Sequence, residues 1–279
     1  MNNLSNHTRN LIAFLIIFVS TAVFAQDKSD KSSTEENIRE DLKSNVCKNE
    51  ERLEAVKKLF KKMGATEDEI RVEKLKNVEN VIVTRKGKTT EKVIVGAHYD
   101  KTSDGCGAID NWTGITIVAN LYRTLKQFDT EKTYVFVAFG KEELGLIGSD
   151  AMARSISKED RANYCAMVNL DSFGFGYPQV MSNTTDDKLT DLAKIVSKEM
   201  KIPFAEASIN GASADSASFK NQKIPAISFH GLDARWQEYL HSPKDKLENI
   251  NTGSVFIGYR YVLFYLTKID SGSCSAFRK

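Results

Sequence analysis

The chain has 279 residues, a formal charge of +2 and 41% hydrophobic residues, which is ordinary for a folded globular protein of one large domain or two small ones. Its basic and acidic side chains are intermixed, so nothing points to a nucleic-acid partner or to a membrane surface. The N-terminus opens weakly basic at Arg9 and continues as an apolar run of 15 residues from Leu11 to Ala25, short of the ~20 that a membrane span needs. The run ends in Val23-Phe24-Ala25, a small-x-small cleavage pattern. Residues 1–25 therefore read as a secretory signal peptide cut after Ala25. The protein is then secreted or periplasmic, with no stable membrane anchor. An uncleaved anchor is the alternative, and no Cys follows the cleavage site to make a lipoprotein.

Residues 26–45 are polar and charged and read as a linker or disordered arm. Residues 46–279 then read as a single domain. Leu53, Val56, Leu59, Phe60 and Met63 recur at helical spacing before Gly64. Val81-Ile82-Val83 and Val93-Ile94-Val95 read as strands. A helical stripe follows at Ile115, Val118, Leu121, Tyr122 and Leu125, then a buried strand over Thr133–Phe139 and a helix near Ser149–Ile156. Cys165–Leu170 is a strand, Leu189 to Met200 a helical stripe, Pro225–Phe229 a strand and Val255–Ile269 a closing helix. Short apolar strands between amphipathic helices predict a three-layer α/β/α fold: a mixed, mainly parallel sheet flanked by helices. The four Cys, Cys47, Cys106, Cys165 and Cys274, allow three disulfide connectivities in an oxidising compartment, with buried free thiols as the alternative. The oligomeric state stays open.

Acidic and His residues cluster just after the apolar strands, where ligands bind in open α/β sheets. His98 follows a strand, and Asp100 lies two residues on, sharing its face in extended chain. Asp100 could hold one ring nitrogen and leave the other for a metal. Asp110 lies in a Gly-rich segment before a helix, where an N-cap is the simplest role and a bridge between two cations the richer one. The adjacent Glu142 and Glu143 cannot point the same way, so one could coordinate a metal while the other reaches a water. Asp171 ends the strand Val168-Asn169-Leu170, and His241 sits in a polar loop. Two His with several carboxylates form the N/O donor set that zinc accepts.

In order, His98-x-Asp100, Asp110-Asn111-x-x-Gly114, Glu142-Glu143-Leu144-Gly145-Leu146-Ile147-Gly148-Ser149, Asn169-Leu170-Asp171 and His241-Ser242-Pro243-x-Asp245 resemble the M28 family of zinc peptidases, from about Val93 to Ile250. The resemblance implies an aminopeptidase acting on peptides with a free N-terminus and using two zinc ions per chain. His98 and Asp171 would hold one zinc, Glu143 and His241 the other, with Asp110 bridging. Glu142 would be the general base and Asp100 the support of His98. Asp215 matches a Ser-Asp-His-x-x-Phe element in which Ser216 here replaces His, which leaves it a supporting role. Family members commonly carry Tyr directly before the last ligand His; this chain has Leu240 there and Tyr239 one position earlier.

Two other readings compete. A glutaminyl-peptide cyclotransferase has a similar fold and ligands, and His230, eleven residues before His241, with Trp236 between them, leans that way. His230, Trp236 and Tyr239 are candidate substrate-pocket residues on either enzymatic reading. A non-catalytic binding protein on the same fold is the third possibility.

Overall fold

The computed structural model describes residues 32–208 and 213–278; the signal-peptide reading of residues 1–25 falls outside them. Eight strands form one sheet: β1 (Ile70–Leu75), β2 (Val78–Arg85), β3 (Lys92–His98), β4 (Thr133–Phe139), β5 (Tyr164–Leu170), β6 (Gln179–Met181), β7 (Glu206–Ala207) and β8 (Ala226–His230). The helices are α1 (Glu35–Leu42), α2 (Asn49–Lys62), α3 (Thr113–Leu125), α4 (Ile147–Ser155), α5 (Asp187–Met200), α6 (Asp215–Asn221), α7 (Trp236–Tyr239) and α8 (Thr252–Ser271). Spatial strand order is β1-β2-β4-β3-β5-β8-β6-β7. The four central strands β4, β3, β5 and β8 run parallel, while β1, β2 and β6 pair antiparallel at the flanks. The expected mixed, mainly parallel sheet between helices is the fold.

Strand residues divide between two cores by parity. Val93, Val95, Tyr134, Phe136, Val168 and Leu170 face the larger core, packed by α1, α2, α3, α5 and α8. Ile94, Val135, Val137, Phe139 and Met167 face the smaller one, with Met152 and Ala153 of α4 and Phe219 of α6. This burial on both faces explains why the central strands read as unbroken apolar runs. The edge strand β1 escaped the sequence analysis because Arg71, Glu73 and Lys74 interleave its half-buried Ile70, Val72 and Leu75.

The polar stretch expected to be a linker or arm is in part a helix. Thr34 caps α1 and accepts the Asn37 backbone N–H, while Asn37 accepts that of Thr34. Ile38 and Leu42 enter the larger core. Asp41 is buried against Asn120 (3.0 Å) and pairs with Lys62. Five charged residues in α1 masked the apolar pair Ile38 and Leu42, and composition alone cannot see two buried apolar side chains in so short a helix. Cys47 pairs with Cys106 and Cys165 with Cys274, one of the three open connectivities. Ile38→Ala should lower the unfolding free energy by about 2–4 kcal/mol in a urea titration; a trailing arm would give no change.

Candidate metal centre and substrate cavity

The four parallel strands all end at the same sheet edge, and each delivers a residue there. His98 is the last residue of β3, Asp171 follows β5, and Glu142 and Glu143 follow β4 after Gly140-Lys141. His230 closes β8. Asp110 arrives from a wide turn over Ala108–Trp112 that precedes α3, and His241 from the loop after α7.

Asp110 does not cap α3. Its backbone is non-helical (φ −114, ψ 92), the Asp110–Asn111 peptide is cis, and its carboxylate turns to the sheet edge. One oxygen stands 3.1 Å from His98 Nε2 and the other 3.1 Å from His241 Nε2. His98 Nε2 is also 3.6 Å from Asp171, and His241 Nε2 is 3.2 Å from Glu143. Two groups of three donors result, His98–Asp110–Asp171 and Asp110–Glu143–His241, each with ligand atoms within 4.8 Å of one another. They share Asp110. Glu142 belongs to neither and stands 4.0 Å from His98 Nε2.

The electrostatics show what such a cluster lacks. Burial pushes the Glu142 carboxyl up to about 9, against the attraction of His98 and helped by Asp215, Asp171 and Asp110. Burial likewise raises Asp215 to about 7. His241 goes up to about 10 on its contacts with Asp110 and Glu143. Carboxyls holding protons and imidazoles becoming cations are both responses to missing positive charge. Among the described residues, His98 Nε2 and Glu143 Oε1 are buried without a hydrogen-bond partner. Two groups of imidazole and carboxylate donors, in a site short of positive charge, fit a divalent cation of the zinc type.

Several residues form a frame that sequence reasoning did not single out. Arg52, fully buried on α2, donates to the carbonyls of Tyr99, Val46 (2.8 Å), Cys106 (3.0 Å) and Gly107 (3.0 Å), and lies 5.0 Å over the Trp112 ring. It thereby ties the segment after His98 to the one before Asp110. Gly107 must be glycine there: its φ is +57, and a Cβ would come 2.6 Å from the Lys101 Cβ. Asp245 accepts the backbone N–H groups of Ile109 (2.6 Å) and Asp110 (3.4 Å). Asn111 donates to the Leu170 carbonyl (2.8 Å) and accepts from Gly114 and Ser172 (3.0 Å each). It pins the Asp110 turn to the end of β5.

Asp100 corrects an expectation. His98 Nδ1 faces the Asp100 backbone carbonyl at 3.1 Å, while the carboxylate is 3.7 Å away. That carboxylate instead accepts the N–H groups of Glu142 (2.9 Å) and Glu143 (3.1 Å). Asp100 therefore orients both the His98 ring and the acidic pair. Asp215 is fully buried at the start of α6, with neither oxygen hydrogen-bonded among the described residues.

The cluster opens into a cavity of about 470 Å³. Met181, Phe229, His230, Leu232, Trp236 and Leu240 line it beside the acidic residues. His230 and Trp236 thus take the expected place in the wall. Tyr239 does not; its ring packs 5.0 Å from that of Phe175, below Lys244. Leu240 occupies the wall position in its stead, because α7 turns Tyr239 away.

The model of peptidase family M28 matches residues 80–263. The chain belongs to peptidase family M28. Aminopeptidase YwaD of Bacillus subtilis is 30% identical over 186 residues, which cover 62% of this chain and 40% of that protein. The solved aminopeptidase of Aneurinibacillus sp. strain AM-1 superposes with a TM-score of 0.62 at 25% identity, over 70% of this chain and 48% of that one. The chain thus spans less than half of the length of either relative. A glutaminyl cyclase of Porphyromonas gingivalis shares the fold, with a TM-score of 0.68 at 16% identity over 84% of this chain and 96% of that one.

Within this M28 site, Asp245 holds Asp110 through backbone alone. Asp245→Asn should keep the fold, read by circular dichroism, and weaken zinc retention about 10- to 100-fold in a chelator competition. Unchanged zinc affinity would show that the Asp110 turn holds itself.

Proposed function

We propose that the protein is an exported aminopeptidase that removes N-terminal residues from peptides with two zinc ions per chain. One observation carries the reading: Asp110 offers a separate oxygen to each of two His–carboxylate groups, and Glu142 stands beside them outside both. His98 and Asp171 would hold one ion, Glu143 and His241 the other, and Asp110 both. When bound, zinc supplies Lewis-acid polarisation of the scissile carbonyl and makes a water acidic enough to attack at neutral pH. Membership in the M28 family supports zinc as the metal.

Glu142 acts as the base. Alone in this acidic site it would keep a proton at neutral pH, because burial lifts it to about 9. Positive charge in the neighbouring groups reverses that balance and frees the carboxylate to take the water's proton, then pass it to the leaving amine. Asp100 fixes the backbone of Glu142 and Glu143 at adjacent N–H groups, so the two side chains keep separate tasks. The acidic cluster also receives the substrate's α-ammonium group, which restricts cleavage to a free N-terminus. The apolar run ending at Ala25 supports export, and so do two disulfides, which persist in oxidising compartments.

His230 and Trp236 in the cavity wall favour a second reading, cyclisation of N-terminal glutamine. The products separate the two: free amino acid for the peptidase, a pyroglutamyl peptide for the cyclase.

Glu142→Gln should keep zinc and lose about 100- to 10,000-fold in kcat on aminoacyl-arylamides, since an amide cannot accept the proton. Glu143→Gln should lose zinc as well. Retention of near-normal turnover by both would place the active site elsewhere. Chelation should abolish activity, and zinc should restore it as bound metal approaches two equivalents by elemental analysis. Full activity at one equivalent would favour the cyclase.

A further inference from the structure

The cavity has one wall that the aminopeptidase reaction leaves unassigned. His230 sits in it beside Phe229 and Leu232 and is 4% exposed. Its Nδ1 accepts the Leu232 backbone N–H at 3.3 Å, so the ring proton resides on Nε2. Among the described residues that Nε2 has no hydrogen-bond partner. Ser228, two residues earlier on the same strand face, is already engaged: its hydroxyl is 2.6 Å from that of Ser216 and accepts from Asn169 at 3.2 Å. A buried donor in the wall of a cavity, without a partner among the described residues, is a place where an acceptor on a ligand gains more than an apolar group can.

The position says which part of a substrate reaches it. His241 marks the exposed rim of the site, whereas His98 and His230 are buried in it. A peptide held by its ammonium group, with its first carbonyl beside Glu142, extends its leaving portion through the rim. The first side chain is the part that turns inward.

On the aminopeptidase reading, we propose that His230 selects this first side chain. Its Nε2–H donates to a neutral acceptor, so the enzyme prefers N-terminal residues with a side-chain amide, asparagine and glutamine, over their apolar isosteres. A site built to hydrogen-bond a substrate group discriminates against the analogue that lacks it, since its own buried polar atom is then left unpaired.

The test uses the zinc-loaded protein on two near-isosteric pairs of arylamides, asparaginyl against leucyl and glutaminyl against methionyl. The kcat/KM ratio should favour the amide in both. Asparagine keeps the first pair free of the cyclisation open to glutamine. His230→Leu should lower each ratio about tenfold. His230→Gln, which can bring an N–H to the same place, should restore most of it. Melting temperatures confirm that both variants fold. Calorimetry with free asparagine and leucine gives a second readout, in which the wild type binds asparagine more tightly and His230→Leu loses the difference. Equal loss on all four arylamides, with unchanged ratios, would overturn the proposal and make His230 an aid to the reaction itself. So would a wild type that prefers leucyl to asparaginyl substrates. If no arylamide is cleaved while calorimetry keeps the asparagine preference, the aminopeptidase reading fails and the pocket assignment stands.

Discussion

Repulsion among carboxylates at one sheet edge is the constraint on which this site depends. Asp110, Glu142, Glu143, Asp171 and Asp215 crowd around two imidazoles, and burial raises Glu142, Glu143 and Asp215 toward the protonated form. A polypeptide does not assemble such a group for stability, because each buried charge costs several kcal/mol unless it is compensated. Its existence implies compensation from outside the chain, and the donor types suit a zinc-like cation. Parallel strand topology makes the crowding possible. Only strands running the same way can deliver their ends, β3, β4 and β5, to one place.

The frame around the cluster resists this repulsion through backbone groups. Arg52 collects four carbonyls, Asp245 takes two N–H groups beside Asp110, and Asp100 takes those of Glu142 and Glu143. None of them spends its side chain on the facing oxygens of the cluster. Burial lowers the Arg52 guanidinium to about 10, yet it remains charged at neutral pH and attracts Asp245, Asp100 and Asp110. A buried cation behind the acidic residues thus offsets part of their repulsion and orders the loops at the same time.

The central strands were legible as apolar runs, and His98, Glu142, Glu143 and Asp171 because they stand at or just after a strand end; Asp110 and His241, on a turn and a loop, were legible through the M28-like motifs that carry them. The frame was not legible. Arg52 lies on a charged helix among other basic residues, and nothing local marks it as fully buried. Backbone conformation was hidden for a similar reason: Lys141, Leu146, Ser172 and His241 all take positive φ beside the site, although none is glycine. Such positions are held by their surroundings and often accompany function. The helix α1 was missed because two buried residues cannot outweigh polar composition. The Asp100 contact was assigned to the wrong atom, since i and i+2 sharing a face does not say which oxygen arrives.

The two donor groups differ in their surroundings, and this difference gives the site a direction. The His98 side chain is 1% exposed, whereas that of His241 is 58% exposed on a loop with left-handed backbone. Glu142 lies on the His98 side, 4.0 Å from its Nε2. The inner group therefore has the drier environment, in which electrostatic interactions are strongest and a proton acceptor works against least competition from solvent. The rim group is open to solvent. One bridging carboxylate ties these unlike environments together, so a displacement of Asp110 would disturb both. This explains why the frame concentrates on the short turn that carries it.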